Sequence, residues 1–205
     1  MRTRFNTTAV LGTVLLLAAA APAMAQVQAG SHEGHVYGGY LFGGDITDRR
    51  LSGTDPQLDD DFVAGLRYGY NITDRWGMEV SLGYNPNSVT DLAGSDVDLD
   101  LTTFDVDAVW HLLPAQKWVP YLVAGVGYAS ASLDRPIIGT FGTQTYRIDD
   151  DSGFTANAGV GLKWFATDRV IVRAEARYRY LDKLLDRFAE PINSVETTLG
   201  IGWKF

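Results

Sequence analysis

The densest chemistry in the chain lies in one short stretch, Arg173-Ala174-Glu175-Ala176-Arg177-Tyr178-Arg179. Its four charges fall at alternate positions, so in an extended chain they share one face. Carboxylates set among guanidiniums can serve acid–base catalysis or can neutralise one another as ion pairs. For Glu175, and for Glu79 upstream, Arg67, Arg173 and Arg177 are the available partners, which favours pairing. Nucleophilic catalysis would need an activated hydroxyl or thiol with a base in reach. The chain has no cysteine, and its three histidines, His32, His35 and His111, stand in no recognisable serine motif. His111 reads as a hydrogen-bond partner of Asp107 or Glu196. Aspartates crowd three other stretches: Asp45, Asp48, Asp55, Asp59, Asp60 and Asp61; Asp91, Asp96, Asp98 and Asp100; Asp134, Asp149, Asp150 and Asp151. None has the spacing of a dedicated calcium loop. No metal site and no cofactor is expected.

The elements that carry these residues are strands. From Phe154 to Tyr180 the sequence alternates strictly on either side of Thr167-Asp168-Arg169. One face holds Phe154, Ala156, Ala158, Val160, Leu162 and Trp164, then Val170, Val172, Ala174, Ala176, Tyr178 and Tyr180. The other holds glycine and charge. A period of two, kept up twice around a short break, predicts an antiparallel hairpin. The same reading gives eight strands with connections alternately long and short. The long ones are expected at about residues 44–60, 85–96, 130–151 and 182–193. Val97, Leu99 and Leu101 run out of phase with Phe104 to Leu112, which predicts a bulge or an extension of the strand beyond the main sheet.

Residues 1–25 stand apart. Arg2 and Arg4 precede an apolar run from Ala9 to Ala21, and Ala23-Met24-Ala25 is a small-x-small site, the pattern of a secretory leader. Removing it takes away two arginines, so the formal charge moves from −8 to −10. Residues 26–33 read as a polar lead-in and 34–205 as one domain. No other apolar run approaches the ~20 residues of a membrane helix, but strands dilute that signal by alternation.

Which face is outside decides the fold. An eight-stranded barrel has an interior only wide enough for side chains or one small ligand. Phe62, Tyr68, Trp76, Trp110, Trp118, Trp164, Tyr178 and their like could not share it, whereas the glycines of the opposite face could. The aromatics also form two bands. Trp76, Trp110, Trp118, Trp164, Trp203 and Phe205 lie near short turns or the C-terminus; Phe42, Phe62, Tyr84, Phe104, Tyr128, Phe154 and Tyr180 lie near the long loops. Eight residues at ~3.3 Å rise and ~40° tilt separate the bands by about 20 Å, close to the apolar belt of a membrane barrel. Charges on the inner face are mixed in sign: Arg67, Lys163, Arg173, Arg177, Arg179 and Lys204 against Glu79, Asp105, Asp107, Glu175 and Glu196. Mixed charge suits a buried network and not a basic strip for nucleic acid. The fold class is therefore all-β, an eight-stranded antiparallel up-and-down transmembrane β-barrel with a plugged polar lumen.

At the level of motifs the chain resembles the OmpA-like outer-membrane β-barrel family of Gram-negative bacteria, over about residues 34–205. The resembling stretches are Tyr37-Gly38-Gly39-Tyr40, Gly65-Leu66-Arg67-Tyr68-Gly69-Tyr70 leading into Thr73-Asp74-Arg75-Trp76-Gly77, Pro120 to Gly127, and Arg173 to Tyr178. The resemblance implies an outer-membrane location, lipid and lipopolysaccharide as surroundings, and recognition of Gly202-Trp203-Lys204-Phe205 by the barrel-assembly machinery. Larger members add a peptidoglycan-binding domain, which is not expected here. What remains is a monomeric, non-enzymatic barrel with a structural role or a surface role through four acidic loops, facing a host or phage ligand or divalent cations shared with lipopolysaccharide phosphates. A lipid A-modifying hydrolase and a narrow low-conductance porin are the alternatives.

Overall fold

A sheet whose outer face is apolar cannot leave a row of backbone groups unpaired, so it must close. The computed structural model describes residues 26–42, 57–58, 61–92, 95–133, 137–141, 144–148, 151–182 and 192–205, and it shows that closure. Eight long antiparallel strands form the wall: β1 (His32–Phe42), β2 (Asp61–Asn71), β3 (Trp76–Leu92), β4 (Ser95–His111), β5 (Trp118–Leu133), β6 (Asp151–Phe165), β7 (Val170–Leu181) and β8 (Ile192–Lys204). Each pairs with the next, and β8 returns to β1 from Glu33↔Lys204 to Phe42↔Val195. Gln57–Leu58 adds a short pairing to β3, and Ile137–Phe141 with Gln144–Ile148 makes a separate small hairpin.

The register fixes the bore. Starting at Gly77, the paired residues run through Val109, Val123, Gly159, Arg177, Glu196 and Leu41 to Asp61. Gly77 itself faces Asn71 on the same strand as Asp61, so one circuit shifts the register by ten residues. Eight strands with that stagger tilt by about 40° and leave room inside for side chains alone.

The two short turns after β2 and β6 are built alike. Thr73 Oγ1 accepts the Arg75 and Trp76 amides at 3.2 and 2.9 Å, and Thr167 Oγ1 accepts those of Arg169 and Val170 at 3.3 and 2.9 Å. This explains the repeated Thr-Asp-Arg as turn chemistry. Residues 26–31 cross the same end of the barrel. The Gln26 and Val27 amides donate to Pro114 O, the Ala29 amide to Asp74 Oδ1 and the Gly30 amide to Asn71 O. Gly30 has φ +81°, the one bend in the strap that favours glycine. Val27 is thereby buried among Val119, Phe165 and Ile171, an apolar stopper at the turn end.

Two expectations are corrected. The first strand starts at His32, so Glu33 and His35 belong to the wall and point inward. The second long connection is mostly strand: β3 and β4 pair out to Val89↔Val97 and again at Leu92↔Ser95, with the register irregularity between Val89 and Leu92. Of the two readings at Leu101 the strand extension is the one that forms, since pairing with β3 runs unbroken from Val97 to Trp110. Leu101 is buried and Asp100 exposed because this part of β4 has passed the aromatic band. Lipid outside calls for apolar residues outside; beyond the band the order inverts. Leu41, Val63, Ala129, Ala131 and Leu181 are buried inward-facing residues of the same loop end.

The leader at 1–25 lies outside the described residues, as do Asp45, Asp48, Asp55, Asp59, Asp60, Asp134, Asp149 and Asp150. Asp91, Asp96, Asp98 and Asp151 fall within strands. Asp61 and Asp100 are wall residues, Asp61 Oδ1 taking the Phe62 amide and Asp100 Oδ1 the Tyr84 hydroxyl at 2.8 Å.

The exposed face tests the assignment of outside and inside. Val160 is 57% exposed at mid-belt. Val160→Arg should lower folded stability in lipid vesicles by about 2–4 kcal/mol, the cost of a cation at the bilayer midplane, read by denaturant titration.

Candidate functional site

The site is the filled interior, and β7 is its axis. Arg173, Glu175, Arg177 and Arg179 all point inward, as the period of two requires. The stagger then places different strands opposite each of them. Arg173 donates from both terminal nitrogens to Glu79 on β3, and from Nη2 to Glu175 Oε2 at 2.6 Å. Its Nε donates to the Tyr121 hydroxyl at 2.6 Å, which in turn donates a hydrogen bond to Glu175 Oε2 at 2.7 Å. Arg67 on β2 meets Glu175 Oε1 at 3.0 Å, and its guanidinium lies 4.1 Å from the centre of the Tyr37 ring. Arg177 bridges Glu175 at 3.0 Å and Asp107 at 2.9 Å. Arg179 holds Asp105 at 2.8 Å and Glu196 at 3.3 Å. Asn157 closes the carboxylate side with Asp107 Oδ1 at 3.0 Å.

A second cluster sits nearer the strap. Lys163 Nζ donates to Glu33 Oε2 at 2.6 Å and to His111 Nε2 at 3.1 Å. Glu33 also faces His35 Nε2 at 3.1 Å and accepts from Asn71 Nδ2 at 2.9 Å. His111 therefore pairs with Lys163, not with Asp107 or Glu196 as its spacing suggested. Lys204 is corrected too: it lies half-exposed at the turn end, and Nζ donates to Gln26 O at 3.1 Å. The buried set is five cations, Arg67, Lys163, Arg173, Arg177 and Arg179, against six carboxylates, Glu33, Glu79, Asp105, Asp107, Glu175 and Glu196.

Glycines make the space for this lattice. A Cβ at Gly125 or Gly127 would overlap the carboxylates of Asp107 or Asp105, and one at Gly161 would overlap the Tyr121 ring. The glycine face read from sequence is thus the floor on which charges from neighbouring strands lie. Residues missed at that stage are Glu33, His35, Tyr37, Tyr121 and Asn157. Extending the inward phase of β1 back by two residues would have found Glu33; the aromatic and amide partners carried no charge signal.

On the outside, the six residues Trp76, Trp110, Trp118, Trp164, Trp203 and Phe205 ring the turn end. Trp76 stacks on Trp110 at 5.9 Å and Trp118 on Trp164 at 5.4 Å between ring centres. Among the described residues no group of three or more His, Cys, Asp or Glu side chains could hold a metal ion. Nor does any of the three histidines hydrogen-bond a serine there: His32 Nδ1 is 2.7 Å from the Tyr68 hydroxyl on the outer rim, and the other two are spent in the Lys163–Glu33 cluster.

Comparison with known proteins places this geometry. The outer membrane protein beta-barrel domain family matches residues 11–205. Outer membrane protein Omp38 of Acinetobacter baumannii is 29% identical over 137 residues, which cover 61% of this chain and 35% of that protein, so the chain spans little more than a third of that relative. Neisserial surface protein A shares the fold with a TM-score of 0.58 at 20% identity, over 86% of this chain and 98% of that one. Ail, the attachment invasion locus protein of Yersinia pestis, does so with 0.52 at 19% identity, over 87% and 100%, and has also been solved with the heparin analogue sucrose octasulfate.

The lattice predicts an asymmetric cost of damage. Arg177→Gln leaves Asp107 without its guanidinium and should cost about 3–5 kcal/mol of stability, as breaking buried pairs does. Adding Asp107→Asn should recover part of it, measured as a double-mutant cycle in denaturant.

Proposed function

The chain belongs to the outer membrane protein beta-barrel domain family, and from that premise we propose that it is a structural and surface-interaction protein, with the barrel as a rigid mount and the loop end as the working part. It is an outer-membrane β-barrel protein. The short turns and both ends of the barrel domain lie on the periplasmic side and the long connections outside, the usual arrangement of such barrels. One observation carries the reading: the bore is filled from the Val27 stopper through the charge lattice to Leu41, Leu101 and Leu181. A filled bore favours neither a porin nor a reaction chamber. The histidines' partners, a lysine, a carboxylate and a tyrosine, speak against the lipid A hydrolase alternative.

The β3–β4 hairpin supports a role outside. It continues eight residues past Tyr84, to Leu92, beyond the aromatic band. Its sequence, with the other long connections, presents aspartates. Such a surface repels polysulfates of the kind bound by Ail and favours a basic protein partner or divalent cations shared with lipopolysaccharide phosphates. The C-terminal strand, ending in Trp203 and Phe205, is the segment offered to the barrel-assembly machinery, and the protein acts as a monomer.

Deletion of the 85–100 hairpin tip should abolish surface binding of a basic partner or of lipopolysaccharide while leaving the barrel folded, as read by cell-adhesion and lipopolysaccharide pull-down assays. Retained binding in all four loop deletions would defeat the proposal. In planar bilayers the purified protein should show no stable open steps; sustained conductance would restore the porin alternative.

A further inference from the structure

The outer face of the barrel carries a trough at β1. Gly34 leaves β1 without a side chain between Tyr68 on β2 and Trp203 on β8, and Val36 is the β1 residue between Leu66 and Ile201. Phe62 covers Gly38, with its Cζ 3.3 Å from where a Cβ would be. At Gly34 the only near atom is Phe205 Cε1 at 3.7 Å. The result is an apolar groove of about 460 Å³, its floor at Gly34 and Val36. Directly at the turn end of this groove, sharing Trp203 as a wall, lies a polar cleft of about 760 Å³ lined by Gln28, Ser31, Asp168, Arg169, Lys204 and Phe205. Arg169 is exposed, and no carboxylate among the described residues pairs with it. Lys204 brings a second cation, and Asp168 an anion.

We propose that groove and cleft together hold one phospholipid of the leaflet on the turn side, its acyl chain over Gly34 and its phosphate against Arg169 and Lys204. The groove is continuous with the lipid-facing belt, so acyl chain is what it meets. Basic pockets at the membrane rim take lipid head groups, and a guanidinium donates to phosphate oxygens in a fixed fork. Asp168 favours a head group that carries an ammonium beside its phosphate over one with further negative charge. Trp203 sits at the joint, as interfacial tryptophans do between acyl and head-group depth. Neither the lattice nor the loops take part, so the site stands or falls apart from the surface role.

The test is native mass spectrometry of the full chain, refolded in detergent and titrated with phosphatidylethanolamine, phosphatidylglycerol and diacylglycerol. One phosphatidylethanolamine should bind at saturation, ahead of phosphatidylglycerol and well ahead of diacylglycerol. Arg169→Glu should weaken the phospholipids by roughly tenfold, about one charge-assisted hydrogen bond, and leave diacylglycerol unchanged. Gly34→Leu, whose side chain has open space to enter, should weaken all three. Val36→Trp and Lys204→Gln read the same groove and cleft where either first variant does not refold. Equal retention by wild type and variants, lipid uptake that never saturates at one, or a dimer in place of a lipid adduct would overturn the proposal.

Discussion

A charge in the bore is taken out of bulk water, and the rest of the molecule follows from that. Eight strands staggered by ten residues leave an interior that side chains alone fill. Anything polar placed there must find its partner in the protein, because a buried unpaired ion costs several kcal/mol. Glu79 and Glu175 accordingly collect guanidiniums from two strands each, and Tyr121 spends its hydroxyl joining Arg173 to Glu175. Glycine on the opposing wall is the geometric condition for this. The lattice and the glycine face are two sides of one constraint, since Asp105, Asp107 and the Tyr121 ring lie where a Cβ at Gly127, Gly125 or Gly161 would be.

The same strand answers to two solvents. Between the aromatic bands β4 turns Phe104, Val106 and Ala108 outward and Asp105 and Asp107 inward. Above the band it turns Asp100 outward and Leu101 inward without any break in pairing. A hydrophobic residue follows the low-polarity side, which is lipid at one height and the barrel interior at another. On β4 this inversion lies just past Phe104, on the loop side of the aromatic band. It also explains how β4 can continue past the band: Leu101 turns inward once lipid is gone.

Period and face were legible in the sequence because they are local. Phe154 to Tyr180 gives its two faces by alternation alone, and the five tryptophans give the turn-end rim by proximity to turns. Partners were not legible, because they depend on stagger. The face of His111 suggests Asp107 or Glu196 as its partner, yet the stagger brings it to Lys163. Lys204 shares the inward phase but sits too near the end to reach the lattice, and meets the strap instead. Glu33 was lost for the opposite reason: the strand starts earlier than its first hydrophobic residue suggests. At Leu101 alternation alone could not separate a bulge from a strand extension, because the change of phase there reflects a change of solvent along one unbroken strand.

A packed apolar interior would have been as stable as this lattice, since replacing buried ion pairs by well-fitted hydrophobes is often neutral or better. What it could not do is tell inside from outside. In a strand apolar on both faces, a slip of one residue exchanges the faces at little cost. In β7 the same slip would turn Arg173, Glu175, Arg177 and Arg179 toward lipid. Each arginine near the midplane then costs about 2–4 kcal/mol. Three of them make the slipped register untenable, while the native one pairs every charge. A second gain comes before insertion. Alternating charge keeps the strand from reading as a continuous apolar run, the pattern that marks a membrane helix or an aggregating segment. The lattice is therefore better understood as the device that specifies register and sidedness than as a source of stability.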